Sequence, residues 1–280
     1  MKNEKADNFY LEIKPPKGLI KFDFKEIWLY KDLFYTFISR NIKVRYKQTA
    51  IGVIWAIFQP VLTMLIFTIF FGRLVKVPSE NIPYPVFVFA GLLYWNYFSA
   101  AVNGASNSLV DSEGIIKKVY FPRLIIPFSS SATPLVDFFF SLIVFFVIAM
   151  YYNFFTTIQG VLIIPILLLV AFLSSTGLGL FFASVNVKYR DVRHALPFFI
   201  QILLYLTPVI YPVSLIPEKF KWLIFLNPLA GVITVARDTL LHKLPVDWTI
   251  LGISFFISTL LLILGISYFR KTERYFADII

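Results

Sequence analysis

The sequence of 280 residues contains no cysteine and only two histidines, His194 and His242. The first absence excludes disulfide bonds, thiolate metal sites and a cysteine nucleophile. The two histidines have no further ligand-type residues at metal-binding spacing. None of the 12 glycines is followed by lysine, so the phosphate-binding loop G-x-x-x-x-G-K-[ST] is missing as well. We therefore expect this chain to bind no metal and no cofactor of its own.

Charge is also scarce, because only 15% of the residues are charged whereas 58% are hydrophobic. A water-soluble domain of this length needs more polar side chains to cover its surface. The composition therefore predicts an integral membrane protein. The formal net charge of +10 is assigned to segments beside the membrane, where basic residues meet anionic lipid, and not to nucleic-acid binding.

Six apolar segments are long enough to cross a bilayer as helices. In the topology that they define, 20 of the 26 Lys and Arg residues fall in cytosolic segments. This bias places both termini in the cytosol. We predict an all-α integral membrane fold with spans at about 52–71, 86–108, 130–150, 161–185, 195–216 and 249–269.

The segments around the spans have different compositions. Residues 1–24 are rich in lysine and predict a cytosolic tail. Residues 25–48 place apolar side chains at three- and four-residue steps and polar ones opposite, as in an amphipathic interface helix. The transmembrane domain then occupies 49–280. Between spans five and six, prolines punctuate an amphipathic stretch that predicts short re-entrant helices at the outer surface.

Few polar residues lie inside the predicted spans. Asp137 is the only acid well inside one, and we expect it to hydrogen-bond to another helix near the cytosolic end. Ion-coupled transporters usually need several such groups, so ion coupling is disfavoured. The small residues at 174–177 and Gly179 predict close helix packing. The polar half of the second span, from Asn103 to Ser108, is expected to face away from lipid.

Aromatic residues make up 19% of the sequence and concentrate on the second and fifth spans beside polar residues. Flat rings can stack on the apolar faces of sugar rings. Any single ring is better explained as facing lipid, but the set favours a lined passage. The rings predicted to line it are Tyr94, Trp95, Tyr97, Phe198, Phe199, Tyr205 and Tyr211.

Four stretches of the sequence resemble, in their order and spacing, a known family. They are Arg45-Tyr46-Lys47-Gln48 followed by Gly52, Trp55, Gln59 and Pro60; Lys117 to Arg123; Tyr189 to Val192; and Thr207 to Pro212 through Asn227-Pro228. Together they are similar to the membrane subunits of ABC exporters that move polysaccharides such as O-antigen, teichoic acid or capsule. O-antigen exporters resemble the chain most, with teichoic acid exporters near them.

The resemblance implies a permease subunit that is not itself an enzyme. Two copies would form a homodimer around a continuous channel in the bacterial cytoplasmic (inner) membrane. Two copies of a separate ATP-binding subunit, which would bind ATP and Mg, would attach from the cytosol. The cargo would be a lipid-linked polysaccharide.

The resemblance also assigns residues to two further roles. Those expected to touch the ATP-binding subunit are Lys31, Asp32, Arg40, Arg45, Lys117, Lys118, Phe121, Arg123, Tyr189, Arg190 and Asp191. Those expected to form the outer gate are Pro212, Pro217, Trp222, Asn227 and Pro228.

Three other functions stay open at this point. The same fold could carry another cargo, such as teichoic acid, capsule, a lipid or a drug. A membrane-embedded glycosyl- or lipid-transferase usually has paired acids at the membrane edge, and here only Asp238 and Asp247 are close enough in sequence. An ion channel is the weakest alternative, since the sequence indicates no charged or carbonyl ring.

Overall fold

The computed structural model describes residues 28–47, 52, 54–154 and 156–276, and within these ranges every regular element is helical. The predicted tail at 1–24 lies outside the described residues. The α-helices are α1 (Lys31–Lys47), α2 (Ile54–Phe67), α3 (Tyr84–Asp111), α4 (Glu113–Ile116), α5 (Ile125–Ala132), α6 (Leu135–Tyr151), α7 (Ile158–Lys188), α8 (Val192–Leu206), α9 (Glu218–Phe225), α10 (Pro228–Leu240) and α11 (Trp248–Thr272). A π-helical turn, Thr68–Leu74, extends α2, and two 3₁₀ turns occupy Val213–Leu215 and Glu273–Tyr275.

Five segments are long and apolar enough to cross a membrane: Ile54–Leu74, Tyr84–Asp111, Ile125–Tyr151, Ile158–Lys188 and Trp248–Thr272. The helix α8 is apolar but has only 15 residues. The pair α9 and α10 is bent by 109°, as in a broken span or a re-entrant loop. The predicted all-helical membrane architecture is confirmed, with five to six spans in the described chain.

The fifth span is shorter than the sequence predicted. We expected 195–216, but α8 ends at Leu206 and Thr207 has extended backbone angles, with φ −89° and ψ 138°. A residue before proline is pushed out of the helical region, and Pro208 follows Thr207. The chain therefore leaves the helix inside the apolar segment and continues as an irregular break.

The helix α3 lies at the centre of the bundle. The helices α2, α5, α6, α7, α8 and α10 all pack on it. Every residue from Val86 to Trp95 is buried. A helix that is apolar all round is expected to be enclosed by its neighbours.

Small residues bring α7 close to both α3 and α11, as the sequence predicted. A Cβ atom on Gly265 of α11 would lie 2.2 Å from the carbonyl oxygen of Gly177 in α7. A Cβ on Gly179 would lie 2.5 Å from the Cβ of Ala105 in α3. Only glycine permits these backbone approaches. The amide of Asn186 in α7 also donates to the carbonyl of Ser106 at 3.0 Å, so the polar half of α3 faces another helix.

A second apolar cluster lies at the end of the bundle where α1 rests on α5, which we name the inner end and predict to be cytosolic. Phe37 of α1 packs on Phe121 with ring centroids 5.8 Å apart. Phe269 of α11 packs on Phe276 in the same cluster. The interface helix is therefore fixed to the bundle through its apolar face, while most of its polar residues stay exposed.

The close contact between α7 and α11 generates a prediction about stability. Gly265→Ala places a methyl group where the Gly177 carbonyl already lies, and overpacking of this kind costs about 1–3 kcal/mol. We expect a lower melting temperature for the purified protein. The control is Gly252→Ala in the same helix, where a Cβ meets nothing within 4 Å. Because alanine favours helices over glycine by about 1 kcal/mol, the control should melt at or above the wild-type temperature. Equal melting of the two variants would contradict the tight contact.

Candidate functional site

The helix α8 carries the predicted passage-lining rings that are open to contact. It buries Leu196 and Ile200, which turns the opposite face outward. Phe198 is 61% exposed, Phe199 62% and Tyr205 50%. These three rings form an uncovered aromatic face on a single protomer. Their role in lining a passage stays a prediction, and the face is available for it.

Three other rings from the same predicted set do not reach any such surface. Tyr94 is 0% exposed, Trp95 5% and Tyr97 2%. The rings of Tyr94 and Tyr97 pack on Phe138 of α6. These rings pack in the core in this conformation, and Tyr97 also borders a cavity between α2, α3 and α6. Their role in lining a passage stays a prediction.

The seventh ring, Tyr211, stabilises the break after α8. Its hydroxyl donates to the backbone carbonyls of Tyr205 and Leu206, each at 3.2 Å. These carbonyls lie in the last turn of α8, where no intrahelical donor remains for them. Tyr211 is therefore a partly buried capping residue at the outer end of the bundle.

Arg237 of α10 is the most heavily bonded side chain of this region, and the sequence did not single it out. It is 4% exposed. Its guanidinium donates from Nη1 to the carbonyl of Pro208 at 2.6 Å, from Nη2 to that of Val209, and from Nε to that of Phe87 at 3.2 Å. The guanidinium carbon also lies 3.6 Å from the centre of the Phe87 ring.

These bonds explain how the chain can leave the helix within an apolar segment. Backbone carbonyls in a membrane need donors, and Pro208 and Pro212 supply no N–H to a regular helix. Arg237 provides those donors. In the sequence it counts only as one more outer basic residue. The sequence feature that could have indicated this role is a single cation among the mainly apolar residues of 228–241, because a cation in such surroundings needs partners.

The predicted outer-gate residues divide into two groups. Asn227 accepts from the backbone N–H of Leu229 at 3.1 Å, which caps α10, and its amide donates to Thr207 Oγ1 at 2.8 Å. Pro228 begins α10, and Pro212 is buried at the end of the break. Pro217 and Trp222 are exposed, with Trp222 at 64%. Asn227, Pro228 and Pro212 therefore lie at the break after α8, whereas Pro217 and Trp222 do not. That any of these residues acts as a gate stays a prediction.

Glu80 adds a connection between three outer segments. It lies in the loop between α2 and α3. Ser214 Oγ donates to its carboxylate at 2.6 Å, and His242 Nε2 lies 3.0 Å from the other carboxylate oxygen. The loop before α3 and the turn after the break are thus joined by a hydrogen bond, and His242 at the end of α10 lies beside the same carboxylate.

Two of the predicted ATPase-contacting residues are engaged within the chain. Phe121 is 5% exposed because it packs on Phe37. The ring holds α1 on the bundle, and its predicted contact with a partner stays a prediction. Arg123 donates from Nη1 to the carbonyl of Glu273 at 2.6 Å, which joins the loop before α5 to the end of α11.

Most of the remaining residues of that set are exposed at the inner end. The exception is Arg40, which is partly buried and whose guanidinium covers the Phe37 ring at 4.7 Å. The exposed members are Lys31, Asp32, Arg45, Lys117, Lys118, Tyr189, Arg190 and Asp191. Lys117 Nζ contacts Glu113 at 2.6 Å, and this hydrogen bond, with the charge of Lys117, lowers the pKa of the Glu113 carboxyl. The surface is predominantly basic, and its contact with a partner stays a prediction.

Asp137 is bonded to another helix, as expected. Arg45 Nη2 lies 2.6 Å from Asp137 Oδ2, and the Tyr46 hydroxyl donates to Asp137 Oδ1. Burial, then the hydrogen bond to Asp137 and its negative charge, raise the pKa of the Tyr46 phenol. Arg45, which was predicted to touch the ATP-binding subunit, instead pairs with this carboxylate while remaining 44% exposed.

The geometry defines a multi-pass helical membrane protein with an amphipathic helix at one end and a sharply bent helix pair at the other. Residues 32–241 match the family model described as ABC-2 type transporter. This match covers most of the chain, and the chain belongs to the ABC-2 type transporter family.

Similar curated proteins cover nearly the whole chain. An O-antigen export system permease protein RfbA of Klebsiella pneumoniae is 30% identical over 249 residues, which is 89% of this chain and 95% of that protein. Its namesake in Myxococcus xanthus is 29% identical over 258 residues, or 91% and 97%. A polysialic acid transport protein KpsM of Escherichia coli is 23% identical over 243 residues, or 84% and 91%.

The bonds of Arg237 lead to a second prediction. Arg237→Leu leaves the carbonyls of Phe87, Pro208 and Val209 without this donor, and each unsatisfied buried group costs about 1–3 kcal/mol. We expect a large fall in melting temperature and faster proteolysis of the outer break. The melting temperature of Arg237→Lys should lie between those of the wild type and Arg237→Leu, because one ammonium group cannot reach all three carbonyls. The control is Arg73→Leu, which removes an exposed outer cation. A wild-type melting temperature for Arg237→Leu would show that the break does not depend on this side chain.

Proposed function

We propose that this chain is the permease subunit of an ATP-driven exporter that moves a lipid-linked polysaccharide of O-antigen type out of the cytosol. The observation that carries the proposal is the near full-length similarity to permeases named for O-antigen export. The uncovered aromatic face of α8 supports it, since aromatic rings suit the apolar faces of sugars. The membrane crossed is the bacterial inner membrane.

The passage forms between two copies of the chain. Within one protomer, α2 buries only Pro60 and Met64, while Trp55 is 50% exposed and Phe58 48%. The helix α8 likewise buries only Leu196 and Ile200. Two helices with exposed apolar and aromatic faces suit a homodimer in which these faces meet or enclose the polysaccharide.

ATP hydrolysis belongs to a separate subunit, two copies of which attach at the inner end. The absent phosphate-binding loop and the exposed basic surface support this assignment. That surface joins the bundle directly, because Phe121 fixes α1 through Phe37, and Arg123 bonds to the end of α11. Movement of the ATP-binding subunits therefore reaches the spans through packed side chains.

A capsule-type polymer is the second candidate cargo. The similarity to the polysialic acid transport protein favours it, although at lower identity than the O-antigen relatives. The two cargo classes share the proposed passage and differ in the polymer supplied.

The aromatic face of α8 generates the test of the passage. Phe199→Ala should slow polysaccharide export about fivefold, because one ring contact contributes about 1 kcal/mol. The measurement is the amount of polysaccharide reaching the outside of cells that carry only the variant chain. The matched control is Phe256→Ala, which removes a similarly exposed ring (69%) from α11, a helix outside the proposed passage. Equal export by both variants would exclude an aromatic passage on α8.

The inner surface generates a separate prediction. Reversing charge with Lys118→Glu and Arg190→Glu should weaken co-purification of the ATP-binding subunit about tenfold, since steering and docking both depend on complementary charge. Lys219→Glu at the outer end is the control and should not change assembly. If the double variant retains the subunit as the wild type does, the basic surface is not its docking site.

A further inference from the structure

A cavity of about 330 Å³ lies between α2, α3 and α6, apart from the aromatic face of α8. It touches the first two turns of α2, around Trp55 and Gln59, and the start of α6, around Asp137 and Ser141. Both of these helix ends belong to the inner end. The cavity is thus in the half of the bundle that the polysaccharide meets first, and its volume is at the small end of the range for ligand pockets.

Its wall carries polar side chains that have no hydrogen bond within the described part of the chain. These are the amides of Gln59 and Asn96 and the hydroxyls of Ser99 and Ser141. Ser141 is only 5% exposed. Gln59 is exposed, and Asn96 and Ser99 are partly buried, so the cavity opens at the surface of α2. Four polar side chains around one cavity suit a polar occupant with several donors and acceptors.

Two charged groups narrow the chemistry of that occupant. The guanidinium of Arg45 and the carboxylate of Asp137 are 2.6 Å apart, so the wall has no net charge from this pair. An anion would meet the carboxylate, whereas a hydroxyl can donate to it or accept from the guanidinium. Trp55 adds a flat apolar ring. Amides, hydroxyls and a carboxylate beside an indole suit a neutral sugar unit better than a phosphate.

We infer that this cavity is a binding site for a neutral sugar unit within each protomer, at the inner end and beside the uncovered face of α2. The inference rests on the proposed function, since it names a second contact for the same polysaccharide. Gln59 and Asn96 bond the hydroxyl groups of the sugar. Trp55 covers its apolar face, and the Arg45–Asp137 pair fixes the polar end.

The test uses the full chain in nanodiscs and records NMR saturation transfer from the protein to added glucose, galactose, mannose and rhamnose. In a parallel experiment, inorganic phosphate is added to measure whether it displaces the bound sugar. We expect transfer to at least one sugar. Gln59→Leu and Asn96→Leu should each weaken it about tenfold without lowering the melting temperature, because both remove an unpaired amide. The control is Thr63→Val on α2, since that hydroxyl already donates to the Gln59 carbonyl at 2.9 Å.

The outcomes separate this inference from the proposed function. Sugar binding that is lost in the two amide variants and kept in Thr63→Val supports the cavity site. No transfer to any of the four sugars, transfer unchanged in the amide variants, or displacement by phosphate overturns it. Export of polysaccharide is measured in cells for the same variants. Wild-type export without sugar transfer overturns the cavity site alone, whereas a wild-type chain that exports no polysaccharide overturns the proposed function.

Discussion

The structure depends on one constraint, which is that backbone N–H and C=O groups inside a membrane must find partners within the protein. Helices satisfy this by themselves, and most of the described chain is helical for that reason. The break after α8 is the place where the constraint is met by a side chain. Arg237 brings its donors to the freed carbonyls, and Tyr211 and Asn227 add further bonds. The re-entrant helices can exist at the outer end because this backbone is satisfied.

The predicted elements differ in how well local sequence specified them. Long apolar runs and the distribution of Lys and Arg are local properties, so the helical class and most span positions followed from them. The glycine positions in α7 also indicated close packing correctly. The end of α8 depended on a single X-Pro restriction at Thr207, and counting apolar residues overlooks that effect. Span boundaries are therefore weakest where a proline lies inside an apolar run.

The candidate site was harder to predict, because exposure is a tertiary property. Tyr94 and Phe199 are both aromatic residues in apolar spans, yet Tyr94 fills the core and Phe199 is exposed. The difference comes from the neighbours of α3 and α8, which no local pattern contains. Arg237 was missed for the related reason that its partners, such as Phe87, are distant in sequence. Asp137 was recognised because an acid in an apolar run signals a partner by itself.

The glycine contact between α7 and α11 has a mechanical consequence. Two helices whose backbones touch have little room to slide past each other, so α3, α7 and α11 form the tightly packed part of the bundle. The helices α2 and α8 are less covered by their neighbours. If the proposed passage changes its width, we expect these two helices to move rather than the packed three.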